Sequence, residues 1–282
     1  MAKLTRRAFL KSAAALSTLP LVGEAATQKQ PKSIRFMHVT DSHMDLGNEE
    51  SVEAMELMVQ HVNKHYKDLD FVLFGGDNFN NNAPGEKDAL TFKKIIDKLH
   101  CPSYLVRGNK ESSPKPENDP IDLAGFERLF VTDPALIRHG KDWALEKNGY
   151  LILGLDSNIE HQNNGVYTKE TLDFAESMLR KKIPTIILNH HPYLNYWGEK
   201  DPKLIHKYVL NNSEEAQKRL FGYPNLILTL SGHKHIDHVS EIQGTKVIAT
   251  RGFVRPLDLD MYPMRYVEIS DGKIAEKLVY TS

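Results

Sequence analysis

The 282-residue chain contains one cysteine, Cys101, which excludes an intramolecular disulfide framework and any cysteine-cluster metal site. It also lacks an excess of either charge. Lys and Arg total 36 against 37 Asp and Glu, a formal net charge of −1, so bulk electrostatic binding to nucleic acid is not expected. No apolar run approaches the ~20 residues that span a bilayer, so no stable membrane anchor is expected. No internal repeat or low-complexity tract stands out. What remains, 40% hydrophobic and 26% charged residues with 17 Gly and 14 Pro, is the composition of a globular chain able to bury a core. Any metal must be held by His, Asp and Asn.

The first 25 residues read as an address. Thr5-Arg6-Arg7-Ala8-Phe9-Leu10-Lys11 precedes a short, mildly apolar run from Ser12 to Val22, then Gly23-Glu24-Ala25. The segment resembles a bacterial twin-arginine export signal, in which the paired arginines are read by the export machinery. That implies cleavage after Ala25 and a periplasmic or extracellular protein, with residues 26–282 forming one domain. No cysteine lies near the cleavage point to carry a lipid.

From Ser33 onward, strand-length apolar runs alternate with stretches of helical period. Ile34–Val39, Phe71–Phe74, Ser103–Val106, Tyr150–Leu155, Thr185–Leu188 and Leu226–Leu230 are the predicted strands. Val52, Met55, Met58 and Val62 mark one helix; Leu90, Ile95 and Leu99 mark a second; Lys169–Lys182 is a third. Asp41, Asp77 and Asn109 recur at roughly thirty-residue intervals, the length of a βαβ unit. Val247–Thr250, Arg265–Ile269 and Ile274–Tyr280 read as an antiparallel meander closing the chain, which points to a mixed sheet or two-sheet α/β sandwich. Glu111–Pro120 and Asn158–Gly165 read as surface loops.

The chemistry lies where those strands end. Asp41 and His43 follow the first strand, Gly75-Gly76-Asp77-Asn78 the second, and Gly108-Asn109-Lys110 the third. Asn189-His190-His191 follows Ile186–Leu188, and Gly232-His233-Lys234-His235 follows Leu228–Leu230. Turns at the carboxyl ends of parallel strands share one edge, so five such turns can converge, and the glycines allow the tight turns this needs. Any one of these turns alone could be an ordinary surface feature. All five in this order point to a metal site. His61, His65, His100, His139, His161 and His206 lack the placement, and Cys101 reads as a small buried side chain.

These turns resemble the motifs of the calcineurin-like metallophosphoesterases: Asp-x-His, Gly-Asp-x-x-Asp/Asn, Gly-Asn-His-Asp/Glu, a His after a strand, and Gly-His-x-His. The class III cyclic-nucleotide phosphodiesterases and glycerophosphodiesterases are the most similar in size. The resemblance implies a two-sheet mixed β-sandwich flanked by helices. It further implies two divalent ions, Mn, Fe, Zn or Co. One would be held by Asp41, His43, Asp77 and His235, the other by Asp77, Asn109, His190 and His233, with a shared hydroxide attacking phosphorus in line. The expected function is hydrolysis of a small phosphomonoester or phosphodiester. The alternatives are a non-catalytic binding protein on the same fold and a metal-dependent nuclease. Oligomeric state is open.

One departure bears on mechanism. Where the family carries His in Gly-Asn-His, this chain has Lys110, followed by Glu111. Lys110 is a candidate either to protonate the leaving oxygen or to supply positive charge. His191 is the second candidate acid, or an orienter of its neighbours. Asn80 stands where purple acid phosphatases place a metal-bound Tyr. Tyr193, Tyr196 and Trp197 are candidates to stack on a base or to pack internally, and Arg251 and Arg255 to clamp a phosphate or to form ion pairs.

Overall fold

A computed structural model describes residues 31–112 and 121–281. The export-signal residues 1–25 lie outside them, as do residues 113–120 of the loop expected at 111–120. The described residues belong to the compact unit Pro31–Ser282.

The chain begins with β1 (Ile34–Val39), α1 (Glu49–His65), β2 (Phe71–Phe74), α2 (Lys87–Ile96), β3 (Ser103–Leu105) and the single-turn α3 (Asn109–Ser112). It continues through α4 (Leu123–Phe130), β4 (Ile137–His139), β5 (Asp142–Lys147), β6 (Tyr150–Gly154), α5 (Lys169–Leu179) and β7 (Thr185–Leu188). Then come α6 (Pro202–Tyr208), α7 (Ser213–Leu220), β8 (Leu226–Ser231), β9 (His238–Ile242), β10 (Thr245–Ala249), β11 (Pro263–Ser270) and β12 (Lys273–Tyr280). Thr168 caps α5 by accepting from Thr171 N, and Asp122 caps α4 by accepting from Gly125 N.

Two mixed sheets result, ordered β12-β11-β1-β2-β3 and β4-β5-β6-β7-β8-β10-β9. The period-two alternation of strand side chains sorts residues between layers. In β6 and β7, Ile152, Ile186 and Leu188 join the core that contains Phe36, Phe71 and Leu73 of the facing sheet, while Leu151, Leu153 and Ile187 pack with Leu172 and Leu179 of α5 and Leu220 of α7. Burial on both faces explains why these strands are continuous apolar runs. On the first sheet's outer side, α1 presents Met55, Met58, Val59 and Val62 at helical spacing to the core, beside Phe92 of α2 and Phe126 of α4. The indole N–H of Trp143 on β5 donates to Leu105 O on β3 at 2.8 Å and ties the sheets together.

The C-terminal meander is corrected. β10 lies in the second sheet, parallel to β8 and antiparallel to β9. Of the three strands of the expected meander only β11 and β12 pair with each other, and β11 pairs antiparallel with β1 in the first sheet. α5 ends three residues earlier than expected, before Lys182 turns to φ +59°. Cys101 is half-buried. Glu111, expected on a surface loop, is 2% exposed within α3.

Candidate metal centre

The five ligand-bearing turns do converge, but from two sheets. Three follow β1, β2 and β3 of the first sheet and two follow β7 and β8 of the second. The turns hold one another: Asp41 N donates to Gly76 O, His43 N to Asp77 O, and Gly232 N to His190 O, while His233 N donates to Asp41 Oδ2 at 2.9 Å across the sheets. The glycines serve close approach. A Cβ at Gly108 would lie 2.1 Å from Asp77 N, and one at Gly232 2.0 Å from Thr40 Oγ1. The left-handed backbone falls on Gly76, at φ 91°, and also on Asp41, His43, Asp77, His233 and His235, at φ 55, 44, 49, 68 and 61°. Non-glycine residues held there are strained by about 1 kcal/mol or more each, a cost the surrounding sheets impose.

Two groups of side chains meet there, Asp41, His43 and His235 in one, Asp77, His190 and His233 in the other. Asp77 faces both: Oδ2 lies 3.8 Å from His43 Nε2 and Oδ1 3.5 Å from His190 Nε2. Asn109 joins the second group, with Oδ1 3.2 Å from His190 Nε2, and its amide orientation is set by Nδ2 donating to Asn163 Oδ1. Thus all seven residues expected from the sequence are brought together.

The outward nitrogens of the four histidines explain what the inward ones can do. His43 Nδ1–H is matched to Asn80 Oδ1, His190 Nδ1–H to Gly75 O, His235 Nδ1–H to Arg255 O and His233 Nε2–H to Lys207 O, all at 2.9–3.0 Å. These acceptors fix the tautomers and turn a lone pair of each ring inward. Inward nitrogens then approach in pairs, His43 with His235 at 3.0 Å and His190 with His233 at 3.1 Å. Two bare lone pairs at that distance repel unless a proton or a metal cation is shared between them. Asp41 Oδ1, fully buried and without a hydrogen-bond donor, faces the first pair.

The electrostatics agree with two cation sockets. Burial lowers His233, with His190 adding to it, to about 4, whereas the Asp77 carboxylate overcomes burial at His190 and raises it to about 9. In the other pair, burial lowers His43 while Asp41 raises His235 against it. Despite burial, the imidazoles hold both Asp41 and Asp77 below the usual carboxylate range. Mixed imidazole, carboxylate and amide oxygen donors suit first-row divalent ions, so the residues fit two metals.

Lys110 lines the adjoining pocket, half-buried, and its backbone N–H donates to Asp77 Oδ1 at 2.7 Å. His191 stands apart from the pocket wall. Its Nε2 faces Asn163 O and its Nδ1 Ser157 Oγ, and burial beside His233 and His190 pushes it well below its ordinary value. It thereby anchors the loop whose Asn163 orients Asn109. Asn80, which replaces the tyrosine of purple acid phosphatases, accepts from His43. Tyr193 is buried and bonded to Tyr167, Arg251 pairs with Asp258, and Arg255 lines the pocket.

Glu111 is the residue sequence reasoning missed, although it ends the Gly-Asn-Lys-Glu motif. Its Oε1 accepts from Asn78 N and Phe79 N and its Oε2 from Gly108 N and Asp77 N, at 2.6, 3.2, 2.7 and 3.1 Å. One carboxylate therefore ties the turn after β2 to the turn after β3.

Comparison with known proteins gives a consistent picture. The family profile described as calcineurin-like phosphoesterase matches residues 34–237. A probable cyclic nucleotide phosphodiesterase of Psychrobacter arcticus is 24% identical over 234 residues, 77% of this chain and 79% of that protein. A 3',5'-cyclic adenosine monophosphate phosphodiesterase of Escherichia coli is 22% identical over 246 residues, 83% and 79% of the two chains. A dimetal phosphatase from Danio rerio shares the fold with TM-score 0.62 at 13% identity, covering 90% of this chain and all of that one.

Proposed function

Since the chain belongs to the calcineurin-like phosphoesterases and is a metal-dependent phosphoric ester hydrolase, we propose that it hydrolyses a small phosphomonoester or phosphodiester, nucleotides and glycerophosphodiesters being the leading class. The observation that carries the reading is Asp77, whose two oxygens face two separate His-bearing groups. We assign Asp41, His43, Asp77 and His235 to one ion and Asp77, Asn109, His190 and His233 to the other. When bound, two divalent ions supply the charge that polarises phosphoryl oxygens and eases deprotonation of a water.

The chain's own residues do the rest. Asn80, Gly75, Arg255 and Lys207 hold the imidazoles in the tautomers that leave lone pairs inward. Asn163, anchored through His191, presents Asn109 Oδ1. As water oxygen bonds to phosphorus and the ester P–O bond breaks, the departing oxygen needs a proton or a positive neighbour. Lys110, beside Asn109 on the pocket wall, is the residue we assign to it. His191 is a positioning residue in this scheme, since both its nitrogens are engaged.

A panel of aryl monoesters, aryl diesters, cyclic nucleotides and glycerophosphodiesters with added Mn tests the reading. Turnover of at least one aryl ester is expected, lost on chelation and restored by metal, with two ions per chain by elemental analysis. Inertness across the whole panel with two ions bound would defeat it.

We also propose that the protein acts outside the cytoplasm, on the support of the Arg6-Arg7 leader. Cell fractionation should recover it from the periplasm or medium, and Arg6→Lys with Arg7→Lys should retain it in the cytoplasm. Export that ignores the double substitution would remove the twin-arginine reading.

A further inference from the structure

The pocket beside the metal centre, about 490 Å³, is lined by four cationic side chains, Lys110, Lys207, Lys234 and Arg255. Among the described residues none of the four pairs with a carboxylate. The lining has two acids, Asp77 and Asp45. Asp77 belongs to the metal groups. Asp45 is occupied by Gly47 N, Asn80 Nδ2 and Asn82 Nδ2 at 2.8, 3.0 and 2.7 Å. With Arg255 acting on Asp45, the lining leaves the ammonium groups of Lys110, Lys207 and Lys234 without an acidic partner in the wall, which favours an anionic ligand.

Two of the cations are held in place. Lys234 Nζ lies 4.0 Å from the Tyr208 ring centroid and 4.9 Å from that of Trp197, and Lys207 Nζ lies 5.2 Å from Tyr208. Aromatic faces orient an ammonium without consuming its three N–H donors. Both ammonium groups thus lie against one phenol ring, half-buried and without a carboxylate at ion-pair distance, Glu199 acting on Lys234 only from farther off, so an anion entering beside the ring would be attracted by both. Their location is specific: the Tyr208 ring is 5.5 Å from the His233 ring, and Lys207 O accepts from His233 Nε2. The ammonium pair therefore adjoins the second metal group.

We propose that the natural substrate carries a second phosphate besides its scissile phosphoester, and that Lys207 and Lys234 receive it beside Tyr208. The proposal rests on the phosphoesterase reading above and narrows it. A 3',5'-cyclic nucleotide, with one phosphate engaged at the metals, leaves the pair unused. A ligand with phosphates on two sides of a small scaffold satisfies both and fits the volume.

Two probes differ by the relevant group alone: thymidine 5'-(p-nitrophenyl phosphate) and its 3'-phosphorylated counterpart, which share nucleoside and leaving group. With Mn-loaded protein, the added phosphate is expected to raise kcat/KM at least tenfold, mainly through KM. In the Lys207→Gln, Lys234→Gln double variant, checked to retain two metal ions, that preference should fall below threefold. Equal kcat/KM on the two esters in the parent, or a preference that survives the double substitution, overturns the proposal. Calorimetric binding of thymidine 3',5'-bisphosphate against thymidine 5'-phosphate, over a time in which a phosphate assay detects no hydrolysis, reads the same ratio independently of kcat. If neither ester is cleaved, the hydrolytic assignment of these probes fails, yet a tenfold binding ratio that the double variant loses still supports the second subsite and a ratio near one refutes it.

Discussion

Asp77→Asn is expected to abolish hydrolysis while leaving the fold intact, with turnover of an aryl ester falling by about a thousandfold or more, about 4 kcal/mol in transition-state terms. The substitution keeps the shape of the side chain and removes one negative charge from between the two groups. Its amide nitrogen must then point at either His43 or His190, which lie 3.8 and 3.5 Å from the two carboxylate oxygens. An N–H facing a metal position excludes the ion there, so metal content should fall from two to one or none. The backbone at residue 77 stays anchored, because its N–H is held by Glu111 and its carbonyl accepts from His43 N. Elemental analysis and Mn-supplemented kinetics check both halves; two ions with activity within tenfold of the parent would contradict the bridging assignment.

Glu111→Gln should strike stability as well as activity. The carboxylate accepts four backbone N–H groups from two different turns at 2% exposure. Glutamine offers one oxygen and turns an N–H₂ toward two of those donors, leaving them unsatisfied in a buried place. The expected loss is about 3–5 kcal/mol, seen as an earlier midpoint in urea unfolding. Burial, with Asp77 close by, pushes Glu111 up to about 8, yet four donors aimed at its oxygens still require an acceptor on both. Glu111→Asp separates length from charge: it keeps the charge but cannot span both turns, so it too should lose stability and metal. Unchanged unfolding midpoints with two ions retained in both variants would show that the clasp is dispensable.

Much of the centre was legible before any coordinates, for a physical reason. Strands buried on both faces, such as Thr185–Leu188, are apolar without interruption, and polar residues appear where such a strand leaves the sheet. Asp41, Asp77, Asn109, His190 and His233 each announce themselves at that boundary. Elements without a buried stripe stayed silent. β4 is wholly exposed, β9 is half-exposed along its length, and α6 buries no side chain. Partner choice was equally hidden, since Thr245–Ala249 has the same apolar face whether it pairs with β11 or, as it does, with β8. Glu111 was obscured by its Ser- and Pro-rich neighbours. Three of the four N–H groups it accepts from are more than thirty residues away, and no local pattern reports such a partner. The ammonium pair at Lys207 and Lys234 was likewise invisible, because α6 and the turn after β8 meet only in the folded chain.

The left-handed backbone at Asp41, His43, Asp77, His233 and His235 has an evolutionary consequence. Glycine is the residue best suited to those dihedrals, so at His43 and His235 drift to glycine relieves backbone strain while it costs chemistry, whereas at Asp41 and Asp77 it also removes the acceptor of His233 N or Lys110 N. A lineage released from selection for hydrolysis would shed those two histidines before its architecture suffered. Descendants with the same sandwich and an inert rim are what such a backbone makes easy to reach.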